Sequence, residues 1–296
     1  EEFGEFEEVE APESLAPWQR PFNVQPGGSA AGLDLSGMEL GGDLSGVDFR
    51  KAIIGGWDPV TDGEIYGPGG TPDLQYTEFI GANLAGANFA GKHLSNISFE
   101  RANLRGADFS DCYLGETIFT GADLTGADLS GTVANRADLR RAKLAGAKLV
   151  ETELYAAQLD AADLSNADLT KTMLGSARMT RVNLSGAKLV EVDLIKARVL
   201  DANLKATEIA NSWLTSAQLN RSDLSGATLF RLDLTDAVLA NAILSGAKIE
   251  LTDLFGANMR ESDLRGARFI GSRLTNANLT NAVREGASFE NAIDAP

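Results

Sequence analysis

The chain offers few side chains that could perform covalent or metal chemistry. Its 296 residues include one histidine, His93, and one cysteine, Cys112. A thiolate nucleophile with an imidazole base, or a Cys/His metal site, would require such side chains to converge. The repeat described below places His93 outward and Cys112 inward on different coils, and a single cysteine excludes a disulfide framework. We therefore expect no catalytic, cofactor-binding or metal-binding residues.

Carboxylates are the other candidate chemical groups, because paired acids can serve as general acid and base. The chain has 42 acidic and 26 basic residues, for a net charge of −16. Residues 1–72 hold 14 acids and 3 bases, whereas residues 73–296 hold 28 acids and 23 bases. In the second part the acids recur with the repeat on a convex rod, which lacks the closed pocket that would shift their pKa values. The sequence therefore predicts a protein that is not an enzyme.

A five-residue period positions all of these side chains. Every fifth residue from Leu74 to Phe289 is Leu, Phe, Met, Ile or Val with two exceptions, which makes 44 consecutive units at positions 74 to 289 in steps of five. We call these positions the centres. Two residues before a centre the chain carries a small residue, most often alanine, as at Ala82 and Ala122. A fixed short period of this kind is typical of a solenoid.

The period fits short parallel strands. Residues two apart on a strand point the same way, so the centre and the small residue before it face inward, and the residue between them faces outward. That outward residue is often charged, as at Asp123 and Lys143, and the fifth residue is often a corner glycine such as Gly86. A helix of 3.6 residues per turn would spread the centres over all its faces, which excludes a helical solenoid.

The sequence resembles the pentapeptide-repeat family, whose motif is A(D/N)LXX. Residues 122–126 (ADLTG) and 127–131 (ADLSG) match the motif in full, and the resemblance extends over about residues 31–292. It implies an all-β fold, a right-handed quadrilateral parallel β-helix with four pentapeptides per coil. It also implies about 12 coils, including an opening coil.

Five segments are predicted. Residues 1–30 form an acidic N-terminal arm with seven glutamates in its first thirteen positions. Residues 31–56 form the opening coil, residues 57–72 a Gly/Pro-rich loop insertion, residues 73–292 the continuous β-helix, and residues 293–296 a tail. The arm is either a solvated tail or a docking segment that lays aromatic side chains on a surface. Its candidate anchors are Phe3, Phe6, Trp18 and Phe22.

Three residues depart from the pattern. Ala134 occupies a centre, which predicts either a void or a shift that buries Val133 instead. Lys92 occupies an inward position, where we expect the coil to deform so that the amine can reach water. Arg284 occupies a centre in the last coil, where the end can be open to water.

Residues twenty apart are expected to stack on one face, and two faces have distinctive outward residues. The apolar face is centred on Leu114, Leu154, Leu174 and Leu214, and such a strip usually marks a contact surface. The alternative is that the arm or the loop of residues 57–72 covers it. Its candidate interaction residues are Tyr113, Val133, Tyr155, Met173, Ile195, Trp213 and Phe255.

The basic face is centred on Phe119, Leu139, Leu159, Met179 and Leu219. It could contact nucleic acid, acidic lipid or an acidic segment such as the arm. The alternative, and the commonest explanation of such a face, is an ordinary mixed-charge surface. Interleaved acids argue against nucleic acid; they are Glu100, Asp138, Asp160, Asp201 and Glu261. The candidate basic residues are Arg140, Arg141, Arg178, Arg181, Arg198 and Arg221.

Two functional hypotheses follow. The first is a non-enzymatic scaffold or structural subunit that binds protein partners along the faces of the rod and through the arm. The second is a DNA mimic that binds DNA gyrase or topoisomerase, as the resemblance to the quinolone-resistance branch of the family implies. A mimic requires a rod with a large net negative charge, whereas most of the net negative charge of this chain lies in residues 1–72. We therefore favour the first hypothesis.

The remaining expectations concern assembly and compartment. The final residues, REGASFENAIDAP, are too short for the dimer-forming C-terminal helix of that branch, so the oligomeric state stays open. No apolar run reaches the roughly 18–20 residues that span a membrane. The chain starts at Glu1 without a recognisable leader, which is compatible with a processed plastid protein of the thylakoid lumen or stroma. A location in the bacterial cytoplasm is the alternative.

Overall fold

A computed structural model describes residues 28–31, 47, 49 and 78–295. Within these residues the chain forms a parallel β-solenoid without helices. Six short strands form one parallel sheet in sequence order. They are β1 (Lys188–Val190), β2 (Glu208–Ala210), β3 (Thr228–Phe230), β4 (Lys248–Glu250), β5 (Arg268–Ile270) and β6 (Ser288–Glu290).

Single bridges extend the same register along the other sides. Each bridge joins a residue to the one twenty positions later, from Glu78↔Ser98 to Arg273↔Ile293. Four such bridges recur within every twenty residues, for example at positions 78, 83, 88 and 93. The four-sided coil of four pentapeptides is therefore confirmed. The total number of coils stays a prediction, because the opening segment is largely outside the described residues.

The corners follow from backbone conformation. The residue two after each centre has a positive φ, for instance +68° at Gly86 and +67° at Gly186. Many corners hold other residues instead, such as Arg141 at +59°. Glycine adopts this left-handed conformation at no steric cost, whereas other residues do so at a cost that the flanking hydrogen bonds must offset. Corner side chains point away from the core, so many residue types occur there, but a Cβ atom at the corner Gly131 would clash with Asp111 Oδ1 of the preceding coil.

The centres fill the interior as predicted, with leucine, phenylalanine, methionine and isoleucine buried from Phe79 to Leu274. In the first described coils phenylalanines stack along two opposite sides. Phe99 lies parallel to Phe79 and Phe119, with ring centroids 5.1 and 5.2 Å away. It also contacts Phe89 and Phe109 edge-to-face across the interior, at 5.6 and 5.7 Å. Both arrangements are favourable for aromatic quadrupoles.

Polar residues at the small inward positions satisfy the backbone. The hydroxyl of Thr132 donates to the carbonyl of Phe109 at 2.8 Å, and that of Thr152 donates to Leu129 at 2.7 Å. These acceptors are centres of the preceding coil. Among the described residues, no buried side-chain nitrogen or oxygen lacks a hydrogen-bond partner. The inward hydroxyls therefore link adjacent coils without an uncompensated polar group.

The departures from the pattern leave the register unchanged. Ala134 is buried at its centre and Val133 stays at its outward bridge position, so the coil does not shift to bury Val133. Lys92 is only half-buried, and its N–H still donates to Phe89 O at 3.0 Å, so the turn is kept around it. Arg284 is exposed, as predicted.

Near the start of the rod the chain takes a longer path. Phe49 N–H donates to Asn83 O, 34 positions later, whereas Leu84 N–H donates to Asn103 O, 19 positions later. The segment between Phe49 and Asn83 is thus 15 residues longer than a regular coil requires. Ala30 is buried with the same core. The predicted loop of residues 57–72 and the boundaries of the arm and opening coil stay predictions, since nearly all of residues 1–72 lie outside the described part. The boundary of the predicted tail at residue 293 also stays a prediction.

Candidate functional site

The apolar face carries the largest exposed apolar side chains of the middle of the rod. Tyr113, Tyr155, Met173 and Trp213 are 42, 55, 52 and 48 % exposed. Together with the half-buried Val133, Ile195 and Phe255 they follow one side of consecutive coils. The structure therefore places all seven predicted residues on one face. Their role in binding stays a prediction.

Two glycines shape this face. Gly175 lies beneath the ring of Tyr155, and a Cβ atom placed on Gly175 would meet Tyr155 Cδ2 at 3.3 Å. The amide of Asn135 fixes the backbone of Tyr155, because its Oδ1 accepts the Tyr155 N–H at 2.9 Å. The other glycine, Gly115, is less crowded, since a Cβ atom placed there would come no closer than 3.6 Å to the side chain of Ser95. The ring of Tyr155 therefore lies close to Gly175 on the next coil while more than half of the residue's surface faces solvent.

His93 begins the apolar face and stacks on Tyr113, with ring centroids 4.2 Å apart and planes 9° apart. Burial lowers the pKa of the His93 imidazole below its ordinary value of 6.5. Cys112 lies inside the coil, where its Sγ is 2.9 Å from Phe89 O. Burial, the largest cause, raises the pKa of the Cys112 thiol to about 12. The predicted separation of the two residues is confirmed, and a thiol so hard to ionise is a poor nucleophile.

Carboxylates alternate with the apolar side chains on this face. From Val133 onward the outward column reads Val, Glu, Met, Asp, Trp, Asp at positions 133, 153, 173, 193, 213 and 233. Glu153 accepts a hydrogen bond from Asn135, Asp193 from the backbone of Ile195, and Asp233 from Thr215 and Thr235. None of the three acids forms an ion pair within the described part of the chain. Sequence reasoning noted the apolar members of this column and missed the significance of the acids between them.

A shallow groove of about 350 Å³ adjoins Trp213 at the corner of the apolar face. The corner residue Leu251, 52 % exposed, forms its apolar wall. Asp233 and Asp253 line it with Arg231, whose guanidinium lies 4.9 Å from the ring centroid of Phe230. Leu251 was missed from sequence because corner residues were read as turn residues only.

The basic face is largely neutralised by its own acids. All five interleaved acids named above form ion pairs with arginines. The strongest geometry is bidentate: Arg221 donates to both carboxylate oxygens of Asp201 at 2.6 and 2.7 Å. This hydrogen bonding lowers the pKa of Asp201. Arg140 pairs in the same way with Asp138.

Three of the six predicted basic residues have no such partner. Arg141, Arg181 and Arg198 are exposed, and no carboxylate among the described residues lies within ion-pair distance of them. The other three, Arg140, Arg178 and Arg221, are paired. The face therefore presents a small unpaired arginine group instead of a continuous basic stripe.

The acid at the outward position has a structural task that sequence reasoning missed. Asp223 Oδ1 accepts hydrogen bonds from the N–H and the hydroxyl of Ser225, at 3.0 and 2.5 Å, across the turn. Partial burial alone would raise the pKa of Asp223, but these bonds and nearby Lys205 lower it overall. Asp123 with Thr125 repeats the arrangement. The signal was present as Asp followed two residues later by Ser or Thr, the pattern of an Asx turn.

A search of the described residues for groups of three or more His, Cys, Asp or Glu able to hold a metal ion finds none. The described ranges also contain no helix that could cross a membrane. The candidate arm anchors Phe3, Phe6, Trp18 and Phe22 lie outside the residues that the structure describes.

Comparison with known proteins gives a consistent family assignment. The family model for pentapeptide repeats matches eight times between residues 77 and 293. HetL, a pentapeptide repeat protein involved in heterocyst differentiation regulation in the cyanobacterium Nostoc sp. strain PCC 7120, is 33 % identical. The match covers 68 % of this chain and 89 % of HetL, with a TM-score of 0.37.

Two further solved structures are similar. A pentapeptide repeat protein from the Arabidopsis thaliana thylakoid lumen is 30 % identical over 43 % of this chain and 79 % of its own, with a TM-score of 0.26. QnrB1, a plasmid-mediated fluoroquinolone resistance protein, is 16 % identical over 76 % of this chain and 90 % of its own, with a TM-score of 0.32. A search of curated proteins gives no significant match.

Proposed function

This chain belongs to the pentapeptide-repeat family, and on that premise we propose that it is a non-enzymatic interaction protein that binds a protein partner along its apolar face. The observation that carries the proposal is the group of four large side chains, Tyr113, Tyr155, Met173 and Trp213, each about half exposed on one side of the rod. Aromatic residues and methionine are enriched at the centres of protein interfaces.

The rigidity of the face supports the proposal. Its backbone is fixed by bridges to the coils on both sides, for example Asp193↔Trp213 and Trp213↔Asp233. The Tyr155 ring rests on Gly175. A side chain that is already ordered loses little conformational entropy on binding, so more of its contact energy appears as affinity.

The experiment is a native co-purification with two interface variants and one matched control. Trp213→Glu and Tyr155→Glu place a charge on the apolar face, and Ile243→Glu places one on a different side, where Ile243 is 37 % exposed. We expect a bound protein to be lost with the first two variants and retained with the third. Footprinting of the complex should protect Tyr155 and Trp213. Equal retention by all three variants would refute the proposal.

The acidic arm remains a second predicted contact. Its residues 1–27 lie outside the described part, and the unpaired Arg141, Arg181 and Arg198 would suit an acidic segment by charge. Replacing these three arginines with glutamine tests this contact. We expect an acidic segment to bind the basic face more weakly, whereas binding of a protein partner to the apolar face should be unchanged.

The DNA-mimic alternative has less support. Residues 73–296 carry 28 acids and 23 bases, so the rod does not present the dense negative charge of a duplex. The likeness to QnrB1 at 16 % identity shows a common fold only. A gyrase supercoiling assay without inhibition or protection would dismiss this alternative.

A further inference from the structure

The alternation of apolar and acidic residues on the apolar face points to the chemistry of its partner. We propose that the partner is a basic amphipathic α-helix that lies along the rod axis, with apolar and Lys or Arg residues alternating on its contact stripe. This inference rests on the proposed function, because it assumes that the apolar face is a binding surface.

Spacing is the first part of the argument. The apolar residues of the column lie on every second coil, at Val133, Met173 and Trp213. The acids lie on the coils that follow each of them, at Glu153, Asp193 and Asp233. Stacked strands lie about 4.8 Å apart, so each chemistry repeats about every 9.6 Å. Seven residues of an α-helix rise about 10.5 Å, and three residues rise about 4.5 Å. A helix can therefore match both the repeat and the step from an apolar to an acidic residue.

An extended segment fits less well. Side chains on one face of a strand repeat about every 6.6 Å, which exceeds the step of about 4.8 Å between neighbouring members of the column. Its side chains would fall out of phase within two or three coils. The helix drifts too, by about 1 Å per heptad, but over the three repeats present here the mismatch stays within the reach of a lysine side chain.

Charge is the second part of the argument. Glu153, Asp193 and Asp233 are half-buried, each is adjacent along the column to at least one apolar side chain, and none has an ion-pair partner among the described residues. Covering them with a neutral or acidic surface would remove water from three carboxylates without supplying a compensating positive charge. Lys or Arg at the facing positions would offset that cost and select the register. The same charge argument disfavours the arm as a cover, since it carries seven glutamates in thirteen residues.

Three synthetic helical peptides test the proposal against the full chain. All carry leucine and tryptophan at the same apolar stripe positions. The first has lysine at the intervening stripe positions, the second has glutamate there, and the third has the composition of the first with its lysines moved to the opposite side of the helix. Affinity is measured by fluorescence anisotropy at low and high salt.

We expect the first peptide to bind about tenfold more tightly than either of the others, as three modest surface ion pairs would give. The preference should fade in high salt. Combining Glu153→Gln, Asp193→Asn and Asp233→Asn should abolish it. The matched control combines Asp123→Asn, Asp163→Asn and Asp223→Asn on another side and removes the same charge; it should leave the preference intact.

Each other outcome has a definite meaning. Three outcomes overturn the basic-helix proposal. The lysine and glutamate peptides bind equally, the peptide with moved lysines binds as tightly as the first peptide, or the preference survives the combined Glu153→Gln, Asp193→Asn and Asp233→Asn changes. If no peptide binds but co-purification remains sensitive to Trp213→Glu, this inference fails while the proposed function stands. If the variants Phe3→Ala and Phe6→Ala create peptide binding that the parent chain lacks, the arm occupies the face and both proposals fail.

Discussion

Truncating Phe99 should cost more stability than truncating a leucine at an equivalent centre. Phe99 is fully buried and contacts four other rings, two stacked (Phe79 and Phe119) and two edge-to-face (Phe89 and Phe109). A buried Phe→Ala change costs about 3–5 kcal/mol. Each well-placed aromatic pair adds about 0.5–1.5 kcal/mol beyond burial. Because these contributions overlap, we expect Phe99→Ala to reduce the free energy of unfolding by about 5 kcal/mol.

The matched control is Leu204→Ala. Leu204 is a buried centre stacked between Leu184 and Leu224, without a ring contact. We expect this change to cost about 3 kcal/mol. A double-mutant cycle between Phe99 and Phe109 should give a coupling of about 1 kcal/mol.

Urea denaturation gives the total cost of each variant, and hydrogen exchange locates it. Contacts in a solenoid are mostly between adjacent coils, so Phe99→Ala should accelerate exchange in the first described coils and leave those beyond Leu204 unchanged. The reasoning would be refuted if Phe99→Ala cost no more than Leu204→Ala, or if the cycle showed no coupling.

Four further predictions concern three residues. The pKa of Asp223 is lowered on folding from 3.8, so the stability that this carboxylate contributes is present above that pH and is lost as the pH falls through its folded-state pKa. In the variant Asp223→Asn, the midpoint of unfolding should therefore fall less steeply as the pH is lowered below about 4. Ala134→Leu should raise the free energy of unfolding in urea by about 1–3 kcal/mol by filling a centre that is leucine on the adjacent coils, and a decrease would show that the interior has no room. Native Cys112, with a thiol pKa of about 12, should resist alkylation at pH 8 until urea unfolds the coil, and rapid labelling without urea would contradict its burial. Cys112→Thr should change the unfolding midpoint little, since Thr132 makes the equivalent hydrogen bond on the next coil.

The five-residue period was sufficient to predict the inside of the rod. Which residues are buried depends only on strand alternation and on the corner every fifth residue, and both are local properties of the sequence. Stacking of residues twenty apart was then enough to assemble the apolar face. The same reasoning placed Arg284 in solvent and Cys112 in the core.

The sequence was less informative about the outside. The pairing of Arg221 with Asp201 or of Arg140 with Asp138 depends on which rotamers meet across a coil or a turn, and the repeat leaves these open. Of the two alternatives predicted at Ala134, a void or a shift that buries Val133, the shift does not occur, and the backbone hydrogen bonds of Val133 and Ala134 to the adjacent coils are retained.

The uniform offset of twenty residues between bridged positions makes the exterior sensitive to phase. Duplicating one whole coil would lengthen every face and keep each aligned. Inserting or deleting a single pentapeptide would leave every local motif intact, yet it would rotate all later coils by one side, a quarter turn. Beyond that point the column containing Met173 and Trp213 would pass onto a neighbouring side and the binding strip would be broken. Insertions of twenty residues therefore preserve which outward residues share a side of the rod, whereas insertions of five residues change it.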